Sequence, residues 1–164
     1  MTHISTPPLL GWREWVSLPE LNIAQIKAKV DTGARSSALH AFAIEPYRKG
    51  GQRWVMFTIH PIQNNSDVAI ECHAPIKDRR VVSDSGGHKQ RRYVIETRLI
   101  LGQSIITAEM TLTNRDSMLF RMLIGRTTMN NRFIIDPNAS YIQGTPDPAL
   151  NKSEICAINH SLIS

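Results

Sequence analysis

Ile26-Lys27-Ala28-Lys29-Val30-Asp31-Thr32-Gly33-Ala34-Arg35-Ser36-Ser37 decides how this chain is read. A short alternating apolar run ends at Val30 and delivers the lone Asp-Thr-Gly, so the pattern predicts a strand whose end raises the Asp31 carboxylate on a tight turn. Far downstream, Met122-Leu123-Ile124-Gly125-Arg126-Thr127-Thr128-Met129 leads apolar residues into a glycine and then an arginine. Its spacing suits a segment that closes the loop beside Asp31.

With 164 residues and 41% hydrophobic content, the chain is expected to form one domain around a single core. The start lacks a basic stretch followed by an apolar run, and no segment of about 18 apolar residues occurs. A cytoplasmic protein without membrane association is therefore expected. Cys72 and Cys156 are too few and too distant for a disulfide framework and are read as reduced thiols. The net charge of +5 concentrates in residues 77–98, where Lys77, Arg79, Arg80, Lys89, Arg91, Arg92 and Arg98 outweigh Asp78, Asp84 and Glu96. That stripe is either a solvated strand face or the footprint of an acidic partner, for which a peptide is favoured over nucleic acid.

Period-two segments separated by turn residues predict an all-β domain, with strands at Gln25–Val30, Trp54–His60, Val68–His73, Tyr93–Leu101 and Ser104–Thr113. The last two flank Gly102-Gln103 and read as one hairpin with a type II′ turn. Gly50-Gly51 and Gly86-Gly87 mark further turns. Arg126 to Asn131 has room for one short helix, and Phe133-Ile134-Ile135 reads as a strand ending before Asp136-Pro137. Residues 10–143 form the expected domain, with 1–9 an N-terminal extension and 144–164 a weakly patterned tail.

A single carboxylate near pKa 4 is a poor base for water, whereas two about 3 Å apart cannot both ionise and share a proton. One then activates a water and the other hydrogen-bonds the oxygen that gains charge. In that scheme Asp31 is the carboxylate, Thr32 supplies a hydroxyl that ties two turns together, and Gly33 permits the turn.

Gly11-Trp12-Arg13-Glu14-Trp15-Val16, Lys27 to Arg35, Thr113-Asn114-Arg115-Asp116, Arg121 to Arg126, Asp136-Pro137 and Ser140-Tyr141 together resemble the bacterial retropepsin-like aspartic protease family named ATP-dependent zinc proteases. The resemblance spans about residues 10–143. It implies a closed acid-protease barrel with one short helix after Leu-Ile-Gly-Arg, and a homodimer in which each subunit contributes Asp31 to a shared dyad hydrolysing peptide bonds. Asp31, Thr32 and Gly33 would be catalytic. Leu123, Ile124, Gly125 and Arg126 would support them. Ser83-Asp84-Ser85-Gly86-Gly87-His88 occupies the place of the family's flap, so Ala34, Arg35, Ser85, Gly86, Gly87 and Arg91 would meet substrate. An internal rival is Asp84-Ser85-Gly86 as the source of a second carboxylate within one chain. The family is also associated with ATP-grasp ligases that add glutamates to ribosomal proteins, which points to glutamate-rich substrates. Such a peptide would suit Arg35, Arg79, Arg80, Arg91 and Arg92.

Retroviral proteases usually carry an acid after Asp-Thr-Gly-Ala, pairing with the arginine of Ile-Gly-Arg. Here that position is Arg35, so Arg126 needs another anion, with Asp116 and Asp136 as candidates. The zinc label finds little in these residues. Cys72-His73 is an adjacent pair, and His40, His60, His88 and His160 are scattered, so no metal and no cofactor are expected. No Walker A segment is present, and any ATP dependence would come from a partner. Ser36, Ser37 and Cys72 lack a base nearby in sequence and read as turn and core residues. Trp12 and Trp15 read as packing anchors. Two other readings remain, a non-enzymatic module holding acidic protein or RNA on a basic face, and a zinc-dependent peptidase.

Overall fold

The structure is a computed structural model that describes residues 6–63, 67–84, 86–115 and 118–146. In chain order the strands are β1 (Leu9–Leu10), β2 (Arg13–Leu18), β3 (Ile23–Val30), β4 (Ser37–His40), β5 (Phe42–Lys49), β6 (Gln52–Ile59), β7 (Ile70–Pro75), β8 (Asp78–Ser83), β9 (Lys89–Leu101), β10 (Ser104–Thr113), β11 (Met122–Ile124) and β12 (Ile134–Ile135). One helical turn, α1, spans Arg126–Met129, and a 3-10 turn spans Pro19–Leu21.

Six strands run in the order β10, β4, β11, β3, β2, β9, and pairing of β9 with β10 closes them into a barrel. Closure removes the exposed edges that an open sheet would offer. The chain is thus all-β, as its patterning predicts, and closed into a barrel, as the family resemblance implies. Ile106, Ala108, Met110 and Leu112 alternate inward along β10 and meet Ile95 and Leu99 of β9 in a core that also holds Leu18, Ile26, Ala28 and Leu39. A separate sheet of β5, β6 and β7 packs Val55, Phe57 and Cys72 into the same core. Burial, then the Glu71 charge, pushes the Cys72 thiol up to about 12, so it is a core residue with little thiolate. Cys156 lies outside the described residues. Among the described residues no helix is long and apolar enough to cross a membrane.

β10 falls where the alternation puts it, and Gly102 turns the β9–β10 hairpin at φ +60°. β3 starts two residues early, β6 runs from Gln52 to Ile59, and β7 is displaced to Ile70–Pro75. β9 begins at Lys89 instead of Tyr93, because its basic residues pair with β8 in a hairpin that reaches beyond the barrel. The helix ends at Met129, two residues sooner than Asn131, which is left-handed at φ +65°.

The root of the β8–β9 hairpin is held by charge. Glu96 and Glu109 lie directly across β9 and β10, a repulsive arrangement, and the Lys77 ammonium bonds both. Arg80 bonds Glu109 at 2.6 Å and Asp78 at 2.7 Å. Arg80, then Lys77, hold the Glu109 carboxyl below its ordinary 4.5. A depressed folded-state value contributes stability above pH 4.5, and that contribution is lost as pH falls through the folded-state value. Glu109→Gln is accordingly expected to cost about 1 kcal/mol at neutral pH. The deficit should close in acid and shrink in high salt, which urea titrations at several pH values measure.

Candidate active site

β11 lies between β3 and β4, parallel to the first (Ile124 beside Val30) and antiparallel to the second (Met122 beside Leu39). The chain must therefore cross over the end of β11 on its way from β3 to β4, and residues 31–36 form that crossing. The Asp31 N–H donates to the Ile124 carbonyl at 2.9 Å, and the Val30 N–H donates to Trp12 at 2.8 Å. Past the crossing, the Arg126 and Thr127 N–H groups that open α1 donate to the carbonyls of Ala34 and Arg35, each at 2.9 Å. Gly125 sits where the two segments touch. A Cβ there would lie 2.5 Å from the Ser36 carbonyl carbon, a backbone contact that no side chain survives. The Ser37 hydroxyl, fully buried, accepts the Gly125 N–H at 3.0 Å and bonds the Thr128 hydroxyl at 2.7 Å. Leu123, Ile124, Gly125 and Arg126 thus lie beneath the aspartyl loop.

Within the loop, Asp31 Oδ1 accepts the Gly33 N–H at 3.0 Å, and its carbonyl accepts the Ala34 N–H at 3.2 Å. The carboxylate is partly buried and lines a cavity of about 760 Å³. Thr32 is exposed and engages this chain through its carbonyl, which accepts from the Arg126 guanidinium at 3.0 Å. That bond answers the question of the Arg126 partner. The Asp136 carboxylate accepts the Asn138 N–H instead, and Asp116 lies outside the described residues. Arg35 lines the cavity beside Asp31, as does Ala34.

The β8–β9 hairpin forms the far wall with Arg80, Val81, Val82, Ser83, Asp84 and Arg92. Gly86, Gly87 and Arg91 do not line the cavity, and Ser85 lies outside the described residues. The difference between Arg91 and Arg92 is one of register, since adjacent residues on a strand face opposite sides. Arg92 pairs across the hairpin with Arg80, whereas Arg91 pairs with Val81 on the other face, where Arg79 lies over the Tyr93 ring. Arg115, which the sequence did not single out as a contact, also lines the cavity.

Asp84 shares the cavity with Asp31 but is engaged locally. Its Oδ1 accepts the N–H groups of His88 at 2.8 Å and Gly86 at 2.9 Å, and these bonds hold its carboxyl below the usual range. A carboxylate fixed in its ionised form to shape a turn is poorly suited to share a proton. Among the described residues no cluster of three or more His, Cys, Asp or Glu side chains is placed to hold a metal ion, and His160 lies outside them.

A model of the RimB-like family, described as retropepsin-like aspartic endopeptidase RimB, matches residues 9–146. A protein named probable alpha-L-glutamate ligase from Shewanella pealeana is 43% identical over 136 residues, covering 83% of this chain and 30% of the relative. Its namesake in Desulfotalea psychrophila is 43% identical over 129 residues, covering 79% of this chain and 28% of the relative. The chain thus spans less than a third of the length of these curated relatives. The crystal structure of Lpg0085, a Legionella pneumophila protein of unknown function, has the same fold, with a TM-score of 0.70 at 24% identity and coverage of 84% of this chain and 99% of that one.

Proposed function

The chain belongs to the RimB-like family of retropepsin-like domains, and from that premise we propose that it hydrolyses peptide bonds as an aspartic endopeptidase, with Asp31 contributed by each of two copies. The observation that carries this reading is the Asp31 loop, clamped by backbone bonds to β11 and α1 so that its carboxylate lines the cavity. Asp31 needs a second carboxylate to share a proton, and Asp84 is already engaged in shaping its own turn. A twofold axis beside the exposed Thr32 would bring the second copy of Asp31 to the first and place each threonine hydroxyl against the other loop.

In the resulting dyad the ionised carboxylate takes a proton from a water as it attacks the scissile carbonyl carbon. The protonated carboxyl donates to the carbonyl oxygen as it gains charge. Collapse of the tetrahedral intermediate returns a proton to the departing amine. The β8–β9 hairpin covers the bound peptide. The relatives' name, probable alpha-L-glutamate ligase, together with the arginines of the cavity, supports glutamate-bearing peptides as substrates and a glutamate ligase as a functional partner. Those same arginines favour a second reading, a non-enzymatic module that holds acidic protein.

Specific activity is expected to rise with protein concentration and to level off where sedimentation reports a complete dimer. Hydrolysis proportional to concentration where only monomer sediments would sink the two-copy site. Acidic-peptide binding without hydrolysis at any concentration would favour the module.

A further inference from the structure

Among the described residues, five arginines line the cavity, Arg35, Arg80, Arg92, Arg115 and Arg126, against the carboxylates of Asp31 and Asp84. They are not equivalent. Arg80 has carboxylate partners in Asp78 and Glu109, Arg126 has the Thr32 carbonyl, and Arg35 and Arg115 are exposed to water. Arg92 alone of the five is buried, at 8% exposure.

Its hydrogen bonds go to neutral acceptors. Nε donates to the Gln90 side-chain oxygen at 3.0 Å, and Nη1 donates to the Thr111 hydroxyl at 3.3 Å. Among the described residues no carboxylate lies within ion-pair distance of it. Directly across the hairpin stands another arginine, Arg80. Burial, then the Arg115 charge, lowers its pKa, with Asp84 opposing only in part. A guanidinium presents five N–H donors, and among the described residues only two of those of Arg92 have partners. Burying a charge without a counterion is costly, and the usual remedy is an anion that arrives with the ligand.

Resting on the endopeptidase reading, we propose that Arg92 is a specificity-determining residue that takes a side-chain carboxylate of the bound peptide, held in a forked grip from the hairpin wall opposite Asp31. Gln90 and Thr111 fix the plane of the guanidinium, so its remaining N–H groups are oriented before substrate arrives and little rotamer freedom is lost on binding. A glutamine in the same position offers one acceptor and no charge, and its amide N–H₂ faces donors. The cavity therefore selects acid over amide by what it leaves unpaired as well as by what it binds.

The test uses a fluorescein-labelled peptide carrying a run of glutamates and the same peptide with glutamines. Binding is measured on Asp31→Asn protein and hydrolysis on the parent. The parent is expected to favour the glutamate peptide in kcat/KM by about 30-fold or more. Arg92→Met should bring that ratio close to one by weakening the glutamate peptide while leaving the glutamine peptide within about 3-fold. Arg92→Lys keeps the charge without the fork and should recover part of the preference. If Arg92→Met does not fold, Arg92→Lys decides, since an undiminished preference there overturns the forked grip.

Equal treatment of the two peptides by the parent overturns the proposal, as does a preference that survives Arg92→Met. Loss of the dimer in Arg92→Met with the preference intact assigns the residue to the subunit contact instead and also overturns it. Binding that depends on Arg92 without hydrolysis of any peptide removes the endopeptidase reading and leaves the carboxylate grip standing.

Discussion

Asp31→Asn is expected to lower peptide hydrolysis by about 1000-fold or more. The substitution preserves shape, because the asparagine oxygen still accepts the Gly33 N–H that Asp31 Oδ1 accepts at 3.0 Å. The loop should stay in place, since its ties to Ile124, Arg126 and Thr127 are made by backbone groups. What disappears is the ability to exchange a proton. A fluorogenic peptide assay alongside thermal melting and sedimentation checks all three points, and full activity in a folded Asp31→Asn dimer would remove the dyad from the mechanism. In the parent, the pH dependence of the rate should report two apparent constants that belong to the pair. Thr32 and Gly33 are poorer test sites, because changing either disturbs the turn as well as the chemistry.

Glu14→Ala is expected to cost about 4 kcal/mol of folding stability. Glu14 is fully buried, and its carboxylate accepts three backbone N–H groups, from Gly11 at 2.6 Å and from Ile142 and Gln143 at 3.1 Å each. Truncation leaves those donors without a partner in a place water does not readily reach, which is among the short list of causes of large mutational losses. Glu14→Gln keeps one good acceptor and should lose roughly half as much. Denaturant titrations give both values, and a loss under about 1 kcal/mol for Glu14→Ala would mean that water replaces the carboxylate. The damage should reach the site. Trp12, between Gly11 and Glu14, accepts the Val30 N–H immediately before Asp31.

Asp31 and Gly125 could be read from the sequence because their positions admit few residue types. One caps its own turn with a side-chain oxygen, and the other has no room for a side chain. The β9–β10 hairpin was legible from its alternation and from Gly102. Harder to see were β2, β4 and β11. In β4 all four residues are buried, so no period-two signal exists, and β11 is only three residues long. Arg126 shows a different limit. The sequence suggests acids as its partners, but its acceptor is the Thr32 carbonyl, and every residue carries a carbonyl. The same holds for Glu14, two of whose three partners are amides about 130 residues away. Arg91 and Arg92 differ by one step along a strand, which is enough to exchange the two faces. Tyr93, packed against the core, fixes that phase, because Arg92 then points away from it.

The seam that Glu14 fastens also joins the two ends of the barrel. Leu9 lies beside Ile134 in a parallel pair, and the Gln143 amide donates to the Leu9 carbonyl at 2.7 Å. Residues 9 and 143 therefore emerge at one corner, like the two leads of a single plug. Splicing such a unit into a longer polypeptide requires only adjacent tethers and leaves the ring of strands unbroken.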